Sequence, residues 1–196
     1  MRSVIVSADI LPRQPQRLRT TLMNAALTSW IILFAAIASS LCAAAQQRGK
    51  SGLQLPRFVS LKSDPVNLRT GPGLKYPKAW VFRRAGLPVE IIQEHDQWRR
   101  IRDSEGASGW ILRALLSARR TALVKPWDAK SPKTAGLIDL RSRPSSSSGA
   151  IARVEPGTLA NVRSCDGTSC YVSIGRFRGY LDQSALWGVY PDEKIE

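Results

Sequence analysis

The sequence predicts an all-β protein in which two tandem copies of one small β-barrel follow an N-terminal signal or helical segment. Three observations predict this fold class. Short apolar runs alternate with period two, turn residues are frequent (12 Pro and 14 Gly in 196 residues), and a set of sequence blocks occurs twice. Short strands joined by tight turns must close on themselves to bury a core and hide their edges, and a small open barrel achieves this.

Residues 1–45 have the order of a secretory signal. Arg13, Arg17 and Arg19 precede an apolar stretch over 22–41, and the small-residue sequence CAAA ends at Ala45. We expect cleavage after Ala45 and a periplasmic or secreted protein. The apolar stretch is close to the ~20 residues that a membrane-spanning helix needs, so an uncleaved inner-membrane anchor is the alternative.

Two cysteines follow the predicted cleavage site, Cys165 and Cys170, because Cys42 would leave with the signal. An even number in an oxidising compartment indicates a disulfide, and opposed residues on adjacent strands lie within disulfide distance. We predict a structural disulfide that contributes about 2 kcal/mol, since the loop it closes is short. A redox pair is the alternative, although the spacing is not C-x-x-C.

Four blocks of the first half return in the same order in the second half, at offsets between 70 and 73 residues. Such order indicates a tandem duplication. The paired blocks are VNLRTGPG (66–73) with IDLRSRPS (138–145), AWVFRRAGLPVEI (79–91) with AIARVEPGTLANV (150–162), WRRI (98–101) with YVSI (171–174), and GWILRALL (109–116) with GYLDQSAL (179–186).

The duplication divides the chain into five predicted segments. Leu123 and Val124 are assigned to the closing strand of the first copy. The segments are a signal peptide or anchor at 1–45, a flexible linker at 46–56, barrel one at 57–124, a second linker at 125–134, and barrel two at 135–193.

The elements of each copy follow from local patterns. Val66 and Leu68 begin the first strand, and Gly71-Pro72-Gly73 starts a rigid loop that leads to the second. The second copy has the softer sequence RPSSSS at 143–148. Alternation over 89–91 and 160–162 predicts half-buried strands. EHDQW and CDGTSC are hairpin turns at equivalent places, and RALL and QSAL are short helical turns before a final strand.

The pattern VNLRTGPG…W…I…GWI…LL resembles the bacterial SH3 (SH3b-like) domain family. The ending ALWGVYPDE (185–193) is similar to that of exported tandem-SH3 proteins of proteobacteria. The resemblance covers roughly 58–193 and implies two tandem SH3-like small β-barrels that act as binding modules, often at the cell envelope. The second copy departs from the pattern at the Gly-Pro-Gly loop, so a ligand contact by that loop does not carry over to it.

The positive charge is concentrated in the first half. Residues 57–117 hold 11 Lys/Arg against 6 Asp/Glu and residues 118–135 hold 5 against 1, whereas 136–196 hold 7 of each. This balance favours anionic partners and surfaces, with simple solubility as the alternative explanation.

Catalysis has little support in the sequence. The single histidine, His95, falls in a predicted turn beside Asp96, and no nucleophile is accompanied by a suitable base. Zinc would need a cluster of three or four ligands, and the sequence has none. We therefore predict no catalytic residues, no metal site, no cofactor and no enzymatic activity.

Aromatic and basic residues of the first copy are the predicted ligand contacts. Ile101, like Ile174 in the second copy, is expected to face the core, which places alternate residues of WRRIR on the other face. Aromatic faces stack and guanidinium groups bind carboxylates, so a peptide, a glycan or an acidic polymer would fit. The alternative is that Trp98 caps the barrel. We expect Trp110 and Tyr180 in the core or at its rim, and Trp187 at the end of copy two. The predicted contacts are Tyr76, Trp80, Trp98, Arg100 and Arg102.

The sequence thus predicts an exported, non-enzymatic binding or scaffold protein that engages a cell-envelope component, either peptidoglycan or an envelope protein or peptide. The first copy would do most of the binding. The alternative is a basic β-barrel that binds nucleic acid, which the sequence composition permits but export disfavours, so no nucleic acid is expected. A secreted hydrolase is a third hypothesis that no set of residues supports.

Overall fold

A computed structural model describes residues 47–125 and 136–196 of the chain. These residues form short strands and two single-turn 3-10 helices, with no α-helix in either range, which confirms the all-β prediction. In the described part, no helix has the length and apolar character needed to cross a membrane. The predicted signal at 1–45 lies outside the described residues, as does most of the predicted linker at 125–134.

The described strands are short, and most have two to six residues. Those of the first half are β1 Gln47–Arg48, β2 Gln54–Leu55, β3 Arg57–Leu61, β4 Val66–Arg69, β5 Lys78–Phe82, β6 Pro88–His95, β7 Trp98–Arg102, β8 Ser108–Leu112, the 3-10 helix Arg113–Leu115, and β9 Leu116–Ser117. Those of the second half are β10 Thr121–Val124, β11 Ile138–Arg141, β12 Ala150–Val154, β13 Leu159–Asp166, β14 Ser169–Ile174, β15 Phe177–Asp182, the 3-10 helix Gln183–Ala185, β16 Leu186–Trp187, and β17 Lys194–Ile195.

Barrel 1 is a curled antiparallel sheet of seven strands in the order β5-β4-β8-β7-β6-β3-β9. Alternate residues point inward. On β6 and β7, Val89, Ile91 and Ile101 are buried in its core, whereas Arg100 and Arg102 face outward. The period-two pattern in the sequence therefore identified the correct core face.

Barrel 2 repeats this arrangement in the order β12-β11-β15-β14-β13-β10-β16, with β17 added to β13. The structure places Thr121–Val124 (β10) in this barrel, between β13 and β16, and not at the end of barrel 1. The boundary between the barrels thus lies between β9 and β10, several residues before the predicted boundary at 124. The second predicted linker then falls inside barrel 2, between β10 and β11.

The backbone hydrogen bonds explain the shifted boundary. The amide of Leu61 on β3 donates to the carbonyl of Leu87 at 2.9 Å, and the amide of Val124 on β10 donates to the carbonyl of Thr158 at 3.0 Å. β3 and β10 are therefore equivalent first strands. Four residues follow β3 before β4, whereas thirteen follow β10 before β11. Because of this longer connection, the sequence offset between β3 and β10 differs from the 70–73 residues that separate the other equivalent strands, so the repeat did not reveal β10.

The segment predicted as a flexible linker at 46–56 contains a hairpin of β1 and β2. The hairpin is tied to barrel 1 by Glu94, whose side chain is 1% exposed and accepts hydrogen bonds from the backbone amide and the hydroxyl of Ser51, both at 2.8 Å. Arg57 adds a hydrogen bond at 2.7 Å, and Arg99 lies at 3.2 Å. Burial alone would raise the pKa of Glu94, but these donors lower it to about 2.

The two barrels share an apolar and polar interface. The ring of Phe58 in barrel 1 lies 4.7 Å from the ring of Tyr190 and 5.1 Å from that of Trp187. The Thr121 hydroxyl donates to the carbonyl of Gly86 at 2.7 Å. Trp187, which was predicted to pack at the end of copy two, therefore also contacts barrel 1 at this interface.

The Cys165–Cys170 disulfide predicted from the sequence is present, and the two Cα atoms are 4.1 Å apart. The two residues are directly opposed on β13 and β14, and both are buried in the core of barrel 2. The disulfide thus joins the two strands at the end of their hairpin.

Candidate functional site

The Gly-Pro-Gly loop of barrel 1 is supported by the arginine of its own motif. The guanidinium of Arg69 donates to the carbonyls of Leu74 at 3.1 Å and Tyr76 at 2.6 Å. In barrel 2 the corresponding Arg141 donates to the carbonyl of Ser148 at 2.9 Å. The repeated L-R dipeptide is therefore a structural feature that holds the loop after β4 or β11.

Tyr76 belongs to this loop support. Its half-buried ring lies against Gly71, where any Cβ atom would collide with it. The position of the Tyr76 ring thus requires a glycine at position 71. This placement gives Tyr76 a clear structural role, and its contact with a ligand stays a prediction.

A groove of about 830 Å³ opens on barrel 1 beside the loop. Its deepest lining residues, Leu68 and Val89, belong to the barrel core. Trp80 stands opposite Leu68 in the β4–β5 register, so both side chains face the groove, and Trp80 is 62% exposed. An exposed tryptophan at the mouth of a concave surface is a typical anchor for a ligand.

Charged residues of both signs line the same groove. Arg83 and Arg84 follow β5, and Asp103 and Glu105 come from the turn between β7 and β8. The carboxylate of Asp103 accepts the backbone amides of Glu105 and Ala107, whereas the described residues offer no partner to the side chains of Arg83 and Glu105. A polar ligand with positive and negative groups would find complementary charges here.

Barrel 2 completes the groove and carries a diverged copy of it. Leu123 and Gly157 contribute to the lining, and Arg84 donates to the carbonyl of Gly157 at 3.4 Å. The equivalent depression on barrel 2 has a volume of about 270 Å³. There Ala152 occupies the position of Trp80. Both barrels therefore have the concave surface, but only the groove of barrel 1 has a tryptophan at this position.

Trp98 and Arg100 lie on the outer face of barrel 1, turned away from the groove. They alternate on β7 with the buried residues Arg99 and Ile101. Trp110 on β8 is opposite Arg100, outside the core cluster, and half-buried. Of the two expected positions, core or rim, the structure excludes the core for Trp110, since Gly109 and Ile111 on either side of it face inward.

Arg102 is engaged in an ion pair. Its Nε donates to Glu90 at 2.9 Å, and Glu90, which is 2% exposed, also accepts a hydrogen bond from the hydroxyl of Tyr190 in barrel 2. The structure thus divides the five predicted contacts among three places, namely Trp80 in the groove, Tyr76 in the loop, and the β7 residues on the outer face.

The sequence prediction missed most of the groove. Arg83 and Glu105 are separated by 22 positions and meet only because β5 and the β7–β8 turn border the same depression. A pair of adjacent arginines directly after a strand was the one local signal available. Leu123 was assigned to the closing strand of barrel 1, whereas its strand belongs to barrel 2.

The described residues contain no group of three or more His, Cys, Asp or Glu that could hold a metal ion. His95 Nε2 lies 3.6 Å from a carboxylate oxygen of Asp96, and both side chains are more than half exposed. Asp96 also forms an ion pair with Lys50, whose Nζ lies 3.8 Å from the other carboxylate oxygen of Asp96.

A curated relative shares part of this sequence. YrvJ of Bacillus subtilis (strain 168), named as a candidate N-acetylmuramoyl-L-alanine amidase, is 26% identical over 123 residues, which are 62% of this chain and 24% of the relative. The chain thus spans about a quarter of that protein's length.

Solved structures with partial similarity include NlpC2 and NlpC1 from Trichomonas vaginalis, with 16% and 15% identity and TM-scores of 0.30. They are matched over 69% and 74% of this chain and about half of their own. A further one is an NlpC/P60 family protein from Bacillus cereus ATCC 10987, with 15% identity, a TM-score of 0.27, and coverage of 71% of this chain and 58% of that protein.

The sequence profile of the bacterial SH3 domain matches the chain twice, over residues 62–118 and 135–188. The two matches fall on barrel 1 and barrel 2 and together include more than half of the chain. Each covers strands that the structure shows in equivalent order. The chain therefore belongs to the bacterial SH3 domain family and contains two domains of it.

Proposed function

We propose that this protein binds peptidoglycan of the bacterial cell wall through the groove of barrel 1 and performs no reaction on it. Bacterial SH3 domains commonly bind this polymer and are themselves non-catalytic. The relative from B. subtilis is named for an activity at the N-acetylmuramoyl-L-alanine linkage. The observation that carries the proposal is the exposed Trp80 at the mouth of a groove of about 830 Å³.

The chemistry of the groove suits a cell-wall polymer. Sugar rings present apolar faces that pack on an indole, and the peptide parts of peptidoglycan carry carboxylates and amines. Arg83 would take a carboxylate and Glu105 an amine, since neither side chain has another partner in the described residues. The side chains of Phe82 and Leu87 extend the apolar lining.

Barrel 2 contributes less to this binding in our proposal. Its depression lacks the tryptophan, and Glu155 follows β12 where Arg83 follows β5. Barrel 2 instead supports the first groove with Leu123 and Gly157. One strong site for each chain is therefore expected.

We also propose that the protein is exported. The Cys165–Cys170 disulfide is typical of oxidising compartments, and residues 1–45 have the composition of a signal. Mass spectrometry of the mature N-terminus, together with fractionation of cells, tests this. A protein that starts at Met1 in the cytoplasmic fraction would contradict it.

Co-sedimentation with purified cell-wall sacculi tests the binding. Trp80→Ala should weaken binding about tenfold or more, because a central aromatic anchor contributes about 2 kcal/mol. Its melting temperature should stay unchanged, since the side chain is largely exposed. The matched control is Phe177→Ala, which removes an exposed aromatic ring from the depression of barrel 2 and should leave binding intact.

Equal binding by wild type and Trp80→Ala would reject the groove. Release of soluble fragments from the sacculi by the purified protein would reject the non-enzymatic part of the proposal.

A further inference from the structure

The outer face of barrel 1 carries a row of side chains that runs across its strands. Arg100 is opposite Trp110, Trp110 is opposite Arg69, and Arg69 is opposite Lys78. Directly opposed residues of paired strands point to the same face of a sheet. A bulge between Leu68 and Arg69 leaves Ala79 without a register partner, so Lys78 shares the face of Arg69 while Trp80, two positions further on, faces the groove. These four residues, here called the cationic row, therefore lie side by side on the surface opposite the groove.

The positive charges of the cationic row are not neutralised. Arg100 and Lys78 are exposed and make no ion pair or hydrogen bond with other side chains of the described residues. Arg69 uses its guanidinium on neutral carbonyl groups only, so its charge remains. The next residue along the row, Gln93 opposite Arg100, is uncharged.

The spacing of the row suits an extended polymer. Adjacent strands lie about 4.8 Å apart, so the backbone positions on β7 and β4 that carry the charges are about 10 Å apart, and those on β4 and β5 are about 5 Å apart. Trp110 stands between the first two. A chain lying across the strands would meet three cations and one indole in sequence.

A second aromatic row runs beside it. His95 is opposite Trp98 in the β6–β7 register, and Trp98 is opposite Leu112. The rings of His95 and Trp110 are 6.3 Å apart with an angle of 78° between their planes. The surface thus combines apolar ring area with unpaired cations over several neighbouring positions.

Barrel 2 lacks this combination at the equivalent positions. The equivalent row of barrel 2 contains Tyr171, Tyr180, Arg141 and Ala150. Its one cation, Arg141, corresponds to Arg69, which supports the loop in barrel 1. The two additional cations of barrel 1, Arg100 and Lys78, have no such structural task. A role outside the fold is therefore the simplest reason for their position.

We propose that the cationic row binds an acidic polysaccharide, at a site separate from the groove. Guanidinium and ammonium groups bind sugar carboxylates or other anionic substituents, while a partly covered indole packs against the apolar face of a sugar ring. Both tryptophans are half-buried, and an edge of His95 faces Trp110, so full stacking of nucleobases is hindered.

The test measures binding of the full chain to polygalacturonate by titration calorimetry, with neutral dextran and oligodeoxythymidylate as comparison polymers. Polygalacturonate should bind, with an affinity that falls as salt is raised. Arg100→Gln with Lys78→Gln should weaken this binding about tenfold, from the loss of two exposed charge contacts. Arg143→Gln with Arg163→Gln removes the same charge from exposed positions of barrel 2 and should change the affinity less than twofold.

Several outcomes would overturn the proposal. An equal loss of affinity in the two double variants would show a non-specific charge effect. A loss in Trp80→Ala as large as in the Arg100 and Lys78 variant would move the polysaccharide into the groove. Tighter binding of oligodeoxythymidylate would replace the polysaccharide with nucleic acid, and equal binding of dextran would remove the role of charge.

Discussion

The hydroxyl of Tyr190 in barrel 2 donates a hydrogen bond to a carboxylate oxygen of Glu90 in barrel 1 at 2.9 Å. Glu90 is almost fully buried and is also bound by Arg102. Burial raises the pKa of Tyr190, and the adjacent Glu90 raises it further, so the hydroxyl stays protonated and keeps donating. A polar contact thus joins the two domains at the edge of an apolar patch formed by Phe58 and Trp187.

Tyr190→Phe should lower the free energy of unfolding by about 1–2 kcal/mol, because it removes one hydrogen bond to a buried carboxylate and keeps the ring against Phe58. Urea denaturation measures this. Tyr171→Phe is the control, since its ring packs against Tyr180 on the outer face of barrel 2. Equal stability of wild type and Tyr190→Phe would contradict the importance of the contact.

Glu94 should make the stability depend on acid pH. Its pKa is about 2 in the folded protein and about 4.5 ordinarily, so its contribution is complete above about pH 4.5 and is lost as the pH falls towards 2. The difference corresponds to about 3 kcal/mol. Urea denaturation at several pH values should show this loss in wild type.

Glu94→Gln should be less stable near neutral pH, because Arg57 and Arg99 lose their carboxylate, and it should lose less stability on acidification. Glu105→Gln, at an exposed turn position, should keep the wild-type profile. Parallel pH profiles for wild type and Glu94→Gln would show that another group is responsible.

Removal of the disulfide should destabilise barrel 2. Cys165→Ser with Cys170→Ser opens a short loop, which predicts a loss of about 2 kcal/mol, and places two hydroxyl groups in an apolar core. Thermal unfolding of the variant and of wild type in reductant measures the effect. Unchanged melting temperatures in both cases would contradict a stabilising role.

The glycine of the repeated G-W and G-Y dipeptides should be required in both barrels. A Cβ atom on Gly109 would lie 2.6 Å from Cγ of Leu68 and 2.8 Å from the carbonyl oxygen of Arg69. At Gly179 it would lie 2.5 Å from the carbonyl oxygen of Arg141. Each Gly→Ala change should cost about 1–3 kcal/mol in denaturation experiments.

Gly149→Ala provides the matched control, since nothing lies within 4 Å of the position of the added carbon. It should have wild-type stability. If Gly109→Ala and Gly149→Ala behaved alike, the close approach of β8 to β4 would not be the reason for the glycine.

The sequence predicted the features that local patterns encode. Alternation placed Val89, Ile91 and Ile101 in the core, and the spacing of Cys165 and Cys170 predicted their disulfide. The repeated blocks predicted two domains of one family, which the profile matches confirm.

Features that depend on partners distant in sequence were not predictable. The apolar sequence of β10 fits a closing strand of barrel 1 as well as a first strand of barrel 2. Its pairing with β13, which is distant in sequence, places it in barrel 2. A bulge between Ile91 and Gln93, matched in barrel 2 by one between Val162 and Ser164, alters the register locally. In that register Ile101 corresponds to Val172 and not to Ile174, because Ile101 and Val172 each stand opposite the buried glycine of the next strand.

The candidate site was predicted in part for the same reason. Alternation correctly placed Trp98 and Arg100 on one face, whereas the exposure of Trp80 at the groove was not part of the prediction that named it as a ligand contact. The hydrogen bond from Tyr190 of barrel 2 to Glu90, the ion-pair partner of Arg102, depends on how the two domains pack. No pattern within a single repeat contains that information.

The central claim, that barrel 1 binds peptidoglycan through its groove, is tested most directly by an NMR titration of the isotope-labelled protein with soluble peptidoglycan fragments. Amide shifts should concentrate on residues 79–84 and 103–108 and include the indole of Trp80, while the depression of barrel 2 stays unchanged. Shifts concentrated on barrel 2, or no shifts at saturating fragment concentration, would contradict it.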